Sequence, residues 1–154
     1  MITSRVATAG PVKWGPLEEG NIADAERVRA VLERHRPVAV MHFAAFAYVG
    51  ESVREPLLYY RNNIGGTTAL LNALVEYGPL PFVFSSTCST YGIPRTIPIP
   101  EDHPQNPINP YGFSKKAVES LLADVDRAHT LRSSILSCSA WLPKNADRQG
   151  RRHF

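Results

Sequence analysis

Val38-Ala-Val-Met-His-Phe-Ala-Ala45 is the stretch that decides the fold class, because it is a nearly continuous apolar run interrupted only by His42. A run of this kind predicts a β-strand that is covered on both faces, as in a parallel sheet. Pro81-Phe-Val-Phe-Ser-Ser86 predicts a second buried strand, which ends in hydroxyl groups. Two such strands, separated by the 35 residues 46–80, indicate a sheet whose strands are joined by helices.

Segments with helical spacing of apolar residues flank these two strands. Asn21 is the predicted N-cap of a helix over Ile22–His35. A longer helical segment covers Pro56–Tyr77, and the glycines Gly65-Gly66 inside it indicate a close backbone approach, expected to be that of a neighbouring helix. An irregular proline-rich loop, a further helix and a weaker strand are expected in turn at Gly92–Pro110, Tyr111–Ala128 and Arg132–Cys138.

The alternation of strands and helices predicts an α/β fold with a doubly wound parallel sheet. In such sheets, ligands bind outside the carboxyl ends of the strands. The residues that follow the two apolar strands are His42–Ala47 and Ser85–Tyr91. These two segments are therefore the predicted functional site.

The composition is typical of a globular cytoplasmic domain. The chain has 154 residues, of which 44% are hydrophobic and 20% charged, which is enough for one domain. It contains no apolar run near the roughly 18 residues of a membrane span, and its first residues lack the apolar core of a secretory signal. Its two cysteines, Cys88 and Cys138, are too few for a disulfide scaffold. We therefore expect a cytoplasmic protein that does not associate with membranes.

The formal net charge of +3 comes from the end of the chain. Residues 1–143 hold 13 basic and 13 acidic side chains, so the excess lies in Lys144–Phe154. A short basic tail binds counter-ions more often than nucleic acid. The sequence thus predicts a folded domain over 1–139 and a basic, irregular tail over 140–154, with no nucleic-acid partner.

Tyr111-Gly-Phe-Ser-Lys115 places a phenol and an ammonium group four residues apart on one helix face. A cation near the phenol favours phenolate and lowers the tyrosine pKa from about 10, so that it can accept a proton from a sugar hydroxyl. The hydroxyls of Ser85, Ser86 and Thr87 end the second strand, where a substrate oxygen would lie. Taken singly, each pattern also occurs on a solvated helix face or in a Ser/Thr turn.

The other reactive side chains are expected to be structural. His42 lies in an apolar strand and is predicted to be a hydrogen-bonded core histidine. Glu51 and Glu55 are expected to be solvated, and Cys88 has no activating neighbour in the sequence. The histidines show no metal-ligand spacing with one another or with the cysteines, so no metal site is predicted.

A set of further segments accompanies these patterns in a fixed order, namely Lys13–Gly20, Val40–Ala45, Val49–Val53, Pro56–Asn63, Phe84–Thr87, Tyr91-Gly92 and Asn109–Lys115. In this order they resemble the extended short-chain dehydrogenase/reductases (NAD-dependent epimerases and dehydratases), and among them most closely the UDP-glucose 4-epimerases. The resemblance implies a partial NAD-binding Rossmann fold.

The resemblance also implies roles at the matching positions. Tyr111 matches the catalytic base, Lys115 its lysine partner, and Thr87 the residue that hydrogen-bonds the reacting sugar hydroxyl. The implied cofactor is NAD, and the residues at its binding positions are Asn21 (where the family has Asp), Ile22, Phe43, Ala44, Ala45, Ala47, Asn62, Ser85, Tyr111 and Lys115. In the family, hydride moves from sugar C4 to NAD⁺ while the tyrosine takes the O4 proton, and the 4-keto sugar then rotates and receives the hydride on its other face. The implied partners are a UDP-sugar and, as is frequent in the family, a second copy of the chain.

The chain differs from the family towards both ends. It contains no glycine-rich phosphate loop, and Ser137–Ala140 stands where the family has Arg-Tyr-Phe-Asn. The resemblance thus implies a partial copy that begins after the second strand of the fold. A strand near Leu17–Ile22 would then lack a direct sheet neighbour, and edge strands and apolar faces would be exposed. Such a chain is expected to be poorly stable and to bind neither NAD nor UDP-sugar measurably.

Three functional hypotheses remain open. The first is a UDP-glucose 4-epimerase, an isomerase of galactose and nucleotide-sugar metabolism, of which this chain is an incomplete copy. The second is an inactive truncated or pseudogene product that does not bind NAD. The third is another NAD-dependent epimerase or dehydratase of nucleotide sugars.

Overall fold

The computed structural model describes residues 2–3, 16–78 and 80–138. The elements in chain order are β1 (Ile2–Thr3), β2 (Glu18–Glu19), α1 (Ala25–His35), β3 (Val40–His42), α2 (Val49–Arg54), α3 (Pro56–Tyr59), a π-helical turn (Tyr60–Gly65), α4 (Gly66–Tyr77), β4 (Phe82–Thr87), a 3-10 turn (Cys88–Thr90), α5 (Pro110–His129) and β5 (Ser133–Cys138). The predicted tail 140–154 lies outside the described residues, and the division of the chain into domain and tail stays a prediction.

The strands form parallel pairs, as the alternation of elements predicts. The order β3–β4–β5 makes a three-stranded sheet in which Val40 pairs with Phe82, and Phe82 with Ser133. The short strands β1 and β2 form a separate parallel pair, Ile2 with Glu18. The expectation that a strand near Leu17–Ile22 lacks a sheet neighbour is therefore wrong, because Ile2–Thr3 pairs with it.

The helices agree with the periodicity of the sequence to within a few residues. The helical segment predicted over Pro56–Tyr77 is continuous through α3, the π-helical turn and α4. The segment between the 3-10 turn and α5 contains neither helix nor strand, as its prolines predict. Among the described residues, no helix has the length and apolar character needed to cross a membrane.

Strand β3 differs from the expectation drawn from its apolar run. Only Val40–His42 is strand, and Met41 is 62% exposed while His42 is buried. Phe43, just after the strand, is 61% exposed. The prediction of cover on both faces is wrong because, within the described residues, helices pack on one face of the sheet and β3 is its edge. Exposed apolar side chains at this edge agree with the expectation of an uncovered edge strand.

The start of α1 is also corrected. Asp24 is the N-cap, since its side chain accepts a hydrogen bond from Arg27 N, whereas Asn21 accepts from Ala23 N in the preceding turn. Ile22 is buried instead of helical, and its Cδ1 would lie 3.1 Å from a Cβ placed on Gly66. The close approach at Gly66 is therefore that of a loop side chain and not of a neighbouring helix.

The core lies between the helices and the inner face of the sheet. Leu71 and Leu74 of α4 and Leu122 of α5 are almost wholly buried against Phe82 and Phe84 of β4. Each such side chain contributes about 1.5–3 kcal/mol on burial. Because β4 is the central strand, this packing fixes the position of its carboxyl end relative to α5.

A cluster of charges anchors the β1–β2 pair to α1. Glu18 is buried and accepts hydrogen bonds from Arg27 at 2.7 Å, Arg34 at 2.9 Å and the ring of His35 at 2.8 Å. The His35 hydrogen bond, with Arg34 and Arg27 adding to it, lowers the pKa of Glu18 to about 2. Glu18 therefore stays ionised at neutral pH and ties β2 to the helix.

Candidate functional site

The carboxyl ends of β3 and β4 lie side by side, because the two strands are parallel neighbours in register. Beyond β3 the chain continues as Phe43–Ala47, and beyond β4 it enters the 3-10 turn after Thr87. Helix α5 begins at the same edge with Tyr111 in its first turn. The structure thus places both segments predicted from the sequence at one edge of the sheet.

The Thr87 hydroxyl lies close to the Tyr111 phenol at the carboxyl end of β4. Thr87 is buried and caps the 3-10 turn by accepting a hydrogen bond from Ser89 N at 3.2 Å. Tyr111 is oriented by the start of α5, where the Asn109 side chain accepts from Gly112 N at 2.8 Å and Pro110 occupies the first turn. Local capping at both residues therefore fixes the pair of hydroxyls.

Gly112 allows α5 to start this close to the 3-10 turn. A Cβ at Gly112 would lie 2.5 Å from the carbonyl oxygen of Ser89, which is backbone and cannot rotate away. The glycine in Tyr111-Gly-Phe-Ser-Lys115 is therefore required by a contact between the helix and the 3-10 turn that follows β4, which brings Tyr111 beside Thr87.

Gly112→Ala is expected to lower the free energy of unfolding by about 1–3 kcal/mol, because the methyl group forces α5 away from Ser89. Gly50→Ala in α2 is the matched control, since a Cβ there meets nothing within 4 Å. It is expected to be neutral or to stabilise by up to about 1 kcal/mol through helix propensity. Urea unfolding of both variants measures the difference, and equal stabilities would contradict the close approach of α5 to Ser89.

The pKa of Tyr111 is raised in this structure, and burial of the phenol is the largest cause. The hydrogen bond from Thr87 acts in the opposite direction, and Cys88 adds to the rise. The expectation that Lys115 lowers this pKa is wrong for the protein as described. The physical reason is that the Lys115 ammonium lies against the Ser85 carbonyl oxygen and the Phe84 ring. Desolvation of the phenol is therefore the largest influence on the pKa of Tyr111.

Lys115 is only 4% exposed and points at the end of β4. Its Nζ donates a hydrogen bond to the Ser85 carbonyl oxygen at 2.7 Å and lies 4.6 Å from the centre of the Phe84 ring. Burial lowers its pKa to about 8, and the charge of Glu119 opposes this shift. The ammonium form therefore prevails at neutral pH, close to the carbonyl edge of Ser85.

The segment Phe43–Ala47 is held by a residue that the sequence analysis missed. Asn63 is 2% exposed; its Oδ1 accepts from Phe46 N at 2.8 Å, and its Nδ2 donates to Phe46 O at 3.0 Å. The same Nδ2 donates to the Ser114 hydroxyl of α5 at 3.0 Å. Asn63 thus clamps the loop after β3 to the helix that carries Tyr111 and Lys115.

Asn62, the asparagine predicted from the resemblance, is half-buried and donates to Asn63 Oδ1 at 2.9 Å. Both residues lie in the π-helical turn, a distortion that often marks functional sites. The only signal in the sequence is two adjacent asparagines in a helical segment. That signal does not say which one is buried.

The remaining predicted positions are spread more widely. Ser85, Thr87, Tyr111 and Lys115 come together, and Ala44, Ala45 and Ala47 lie on the clamped loop after β3. Asn21 is exposed and Ile22 is buried against Gly66, at the start of α4. The contacts described here do not join Asn21 to the hydroxyl pair.

His42 and Glu51 have structural roles. The buried His42 ring is hydrogen-bonded to Thr67 Oγ1 at 2.8 Å, and burial lowers its pKa to about 4, so it is the core histidine that the sequence predicts. The expectation that Glu51 is solvated is wrong, because it accepts a hydrogen bond from the buried Tyr59 hydroxyl at 2.7 Å. Within residues 16–78 and 80–138, no group of three potential ligands that could hold a metal ion is found.

Known proteins resemble this chain in sequence and in fold. The family described as GDP-mannose 4,6 dehydratase matches residues 12–152. The chain is 53% identical over 125 residues to the UDP-glucose 4-epimerase of Rhizobium leguminosarum bv. trifolii, a match that covers 81% of this chain and 38% of that protein. This chain therefore spans well under half the length of the relative.

Solved structures confirm the predicted Rossmann-type fold. The UDP-glucose 4-epimerase of Brucella ovis in complex with NAD has a TM-score of 0.78 and 50% identity, covering 82% of this chain and 39% of that one. The UDP-glucose 4-epimerase of Thermotoga maritima with UDP-glucose has a TM-score of 0.80 and 33% identity, covering 88% of this chain and 45% of that one. The chain belongs to the GDP-mannose 4,6 dehydratase family and is similar within it to UDP-glucose 4-epimerases.

Proposed function

We propose that this chain carries the proton-transfer half of an NAD-dependent 4-epimerase that interconverts UDP-glucose and UDP-galactose. The observation that carries the proposal is the closeness of Thr87 and Tyr111 at the carboxyl edge of a parallel sheet, with the buried Lys115 ammonium one turn further along α5. The 53% identity to a UDP-glucose 4-epimerase supports the same conclusion.

The described residues fit the nicotinamide end of NAD. In the described part of the chain, the Lys115 ammonium donates one hydrogen bond, to the Ser85 carbonyl oxygen. Because an ammonium group has three N–H donors, it can also bind the hydroxyls of a ribose. Phe43, Ala44, Ala45 and Ala47, which follow β3, are proposed to lie along the cofactor. Asn62 and Ser85 complete the proposed cofactor positions on this side, while Asn21 and Ile22 are proposed for the adenosine side.

In the proposed reaction the side chains of this protein transfer the proton, and the cofactor would supply the hydride acceptor. Thr87 hydrogen-bonds the O4 hydroxyl of the sugar, and the Tyr111 phenolate accepts the O4 proton as general base and later returns it. When bound, NAD⁺ would supply an acceptor for the C4 hydride and a positive charge that favours the phenolate form of Tyr111. This charge would oppose the rise that burial causes in the pKa of Tyr111.

Two further expectations belong to this proposal. The enzyme acts in the cytoplasm, supported by the presence of only two cysteines in the sequence. It acts as a homodimer, supported by exposed apolar side chains on neighbouring helices, namely Val53, Leu57 and Phe113.

A 4,6-dehydratase is the second candidate, favoured by the description of the matching family. Elimination of water requires a further acid and base at the sugar ring. Cys88, Ser89 and Thr90, which follow Thr87, provide no carboxylate for this purpose. The residues that follow Thr87 therefore favour epimerisation over elimination.

The proposal is tested with a chimera in which the matched segment of this chain replaces the corresponding 125 residues of the 53%-identical Rhizobium leguminosarum relative. With UDP-galactose and NAD the chimera is expected to form UDP-glucose. Formation of a 4-keto-6-deoxy sugar would favour the dehydratase instead. A folded chimera without turnover would support the inactive product and reject both enzymes.

A further inference from the structure

Glu119 lies on α5 one turn after Lys115 and joins two segments on which the site depends. One carboxylate oxygen accepts a hydrogen bond from the buried Ser86 hydroxyl, next to Thr87. The other accepts from the side-chain amide of Gln105 at 2.6 Å. A single carboxylate thus connects the end of β4, the irregular segment 91–109 and α5.

The attachment of Gln105 extends to the rest of that segment. Lys116 Nζ, from the same helix, donates to the Gln105 carbonyl oxygen at 2.8 Å. Two residues before Gln105, the His103 ring accepts from Arg95 N at 3.2 Å and packs edge-on against the Tyr91 ring. The hydrogen bonds of Gln105 to α5 therefore help to position segment 91–109, which connects β4 to the start of α5.

We propose that Glu119 is a positioning residue: it fastens the end of β4 through Ser86, and segment 91–109 through Gln105, to the helix turn that carries Lys115. The inference rests on the proposed function only in giving Thr87, Tyr111 and Lys115 their chemical roles. Glu119 itself touches none of the reacting atoms. It acts through the neighbours of Thr87 and through the charge of Lys115.

The electrostatics of Lys115 agree with this placement. Burial lowers the pKa of Lys115 to about 8, and the charge of Glu119 opposes the shift. Another titratable group that faces Lys115 is His42 of β3, and its pKa of about 4 leaves it neutral near pH 7. Glu119 thus favours the ammonium form of Lys115, which donates a hydrogen bond to the Ser85 carbonyl oxygen.

The test uses the full chain without cofactor or substrate and compares it with Glu119→Gln. Lysines labelled with ¹³C and ¹⁵N at Cε and Nζ are titrated by NMR, and the chain has only Lys13, Lys115, Lys116 and Lys144 to assign. In Glu119→Gln the pKa of Lys115 is expected to fall below about 8, because the opposing charge is gone. Trypsin cleavage after Arg95 is expected to become roughly tenfold faster, since a charge-assisted hydrogen bond to Gln105 is lost.

Asp124→Asn is the matched control, because Asp124 is an exposed carboxylate on the same helix that pairs with Arg127. It is expected to change neither readout.

Gln105→Ala keeps the Glu119 charge and is expected to speed cleavage after Arg95 without changing the pKa of Lys115. This variant therefore separates the effect of the Gln105–Glu119 hydrogen bond from the effect of the Glu119 charge.

An unchanged Lys115 pKa together with unchanged cleavage in Glu119→Gln would overturn the proposal. Should Glu119→Gln fail to fold, Gln105→Ala decides, and unchanged cleavage in that variant rejects the positioning role. Neither readout needs NAD or a UDP-sugar. A chimera without epimerase activity would therefore reject the proposed function and leave these results standing.

Discussion

Tyr111→Phe in the epimerase chimera is expected to lower turnover by about 10²–10⁴-fold, the usual contribution of a positioned acid–base group. The change removes the phenolic hydroxyl that lies close to Thr87 and leaves the ring in place. KM is expected to change little, because the lost hydroxyl takes part in proton transfer and the other groups that bind the sugar are kept. Initial rates of UDP-galactose conversion measure both constants.

The pH dependence gives a second signature of the same residue. Burial raises the pKa of Tyr111, so the base form is scarce at low pH and turnover of the chimera is expected to rise with pH. This rise disappears in Tyr111→Phe. Tyr77→Phe, which alters a half-exposed phenol at the end of α4, is the control and is expected to retain both the rate and its pH profile. A Tyr111→Phe chimera with nearly unchanged turnover would end the assignment of Tyr111 as base.

Asn63→Ala is expected to lower the free energy of unfolding of the full chain by about 2–4 kcal/mol. The substitution leaves the half-buried N–H and carbonyl of Phe46 without their present partner and removes one of the hydrogen bonds of the buried Ser114 hydroxyl, which still donates to the Tyr111 carbonyl oxygen. Each buried polar group left unpaired costs about 1–3 kcal/mol, and water that enters the space recovers part of that. Urea unfolding followed by circular dichroism measures the loss.

Asn62→Ala is the natural comparison, since it alters the neighbouring residue of the same π-helical turn. Asn62 is half-buried and its recorded hydrogen bond goes to Asn63, so its removal is expected to cost less than about 1 kcal/mol. If instead Asn62→Ala were the more damaging of the two, Asn63 would not be the clamp between Phe46 and α5.

The elements that could be predicted from the sequence are those set by local rules. The apolar runs predicted β4 and the position of β3, and the spacing of apolar residues predicted the segment from α3 to α4 and the helix α5 almost to the residue. Predictions that needed a knowledge of neighbours were wrong: Asn21 is not the cap of α1, and Met41 and Phe43 are exposed. A cap depends on which backbone N–H a side chain meets, and exposure depends on what packs against a strand.

The sequence by itself determined that parallel strands alternate with helices and that Tyr111 and Lys115 share one helix face, because chain order and helical spacing place them there. That Thr87 belongs with them was implied by the resemblance to the family. Only the tertiary structure decided that Asn63 and Glu119 support this site, and that the pKa of Tyr111 rises. The physical reason is that these properties arise from burial and from hydrogen bonds between residues far apart in the chain, such as Asn63 with Ser114 and Ser86 with Glu119. No local pattern encodes such partners, since they come together only when α5 packs against β4.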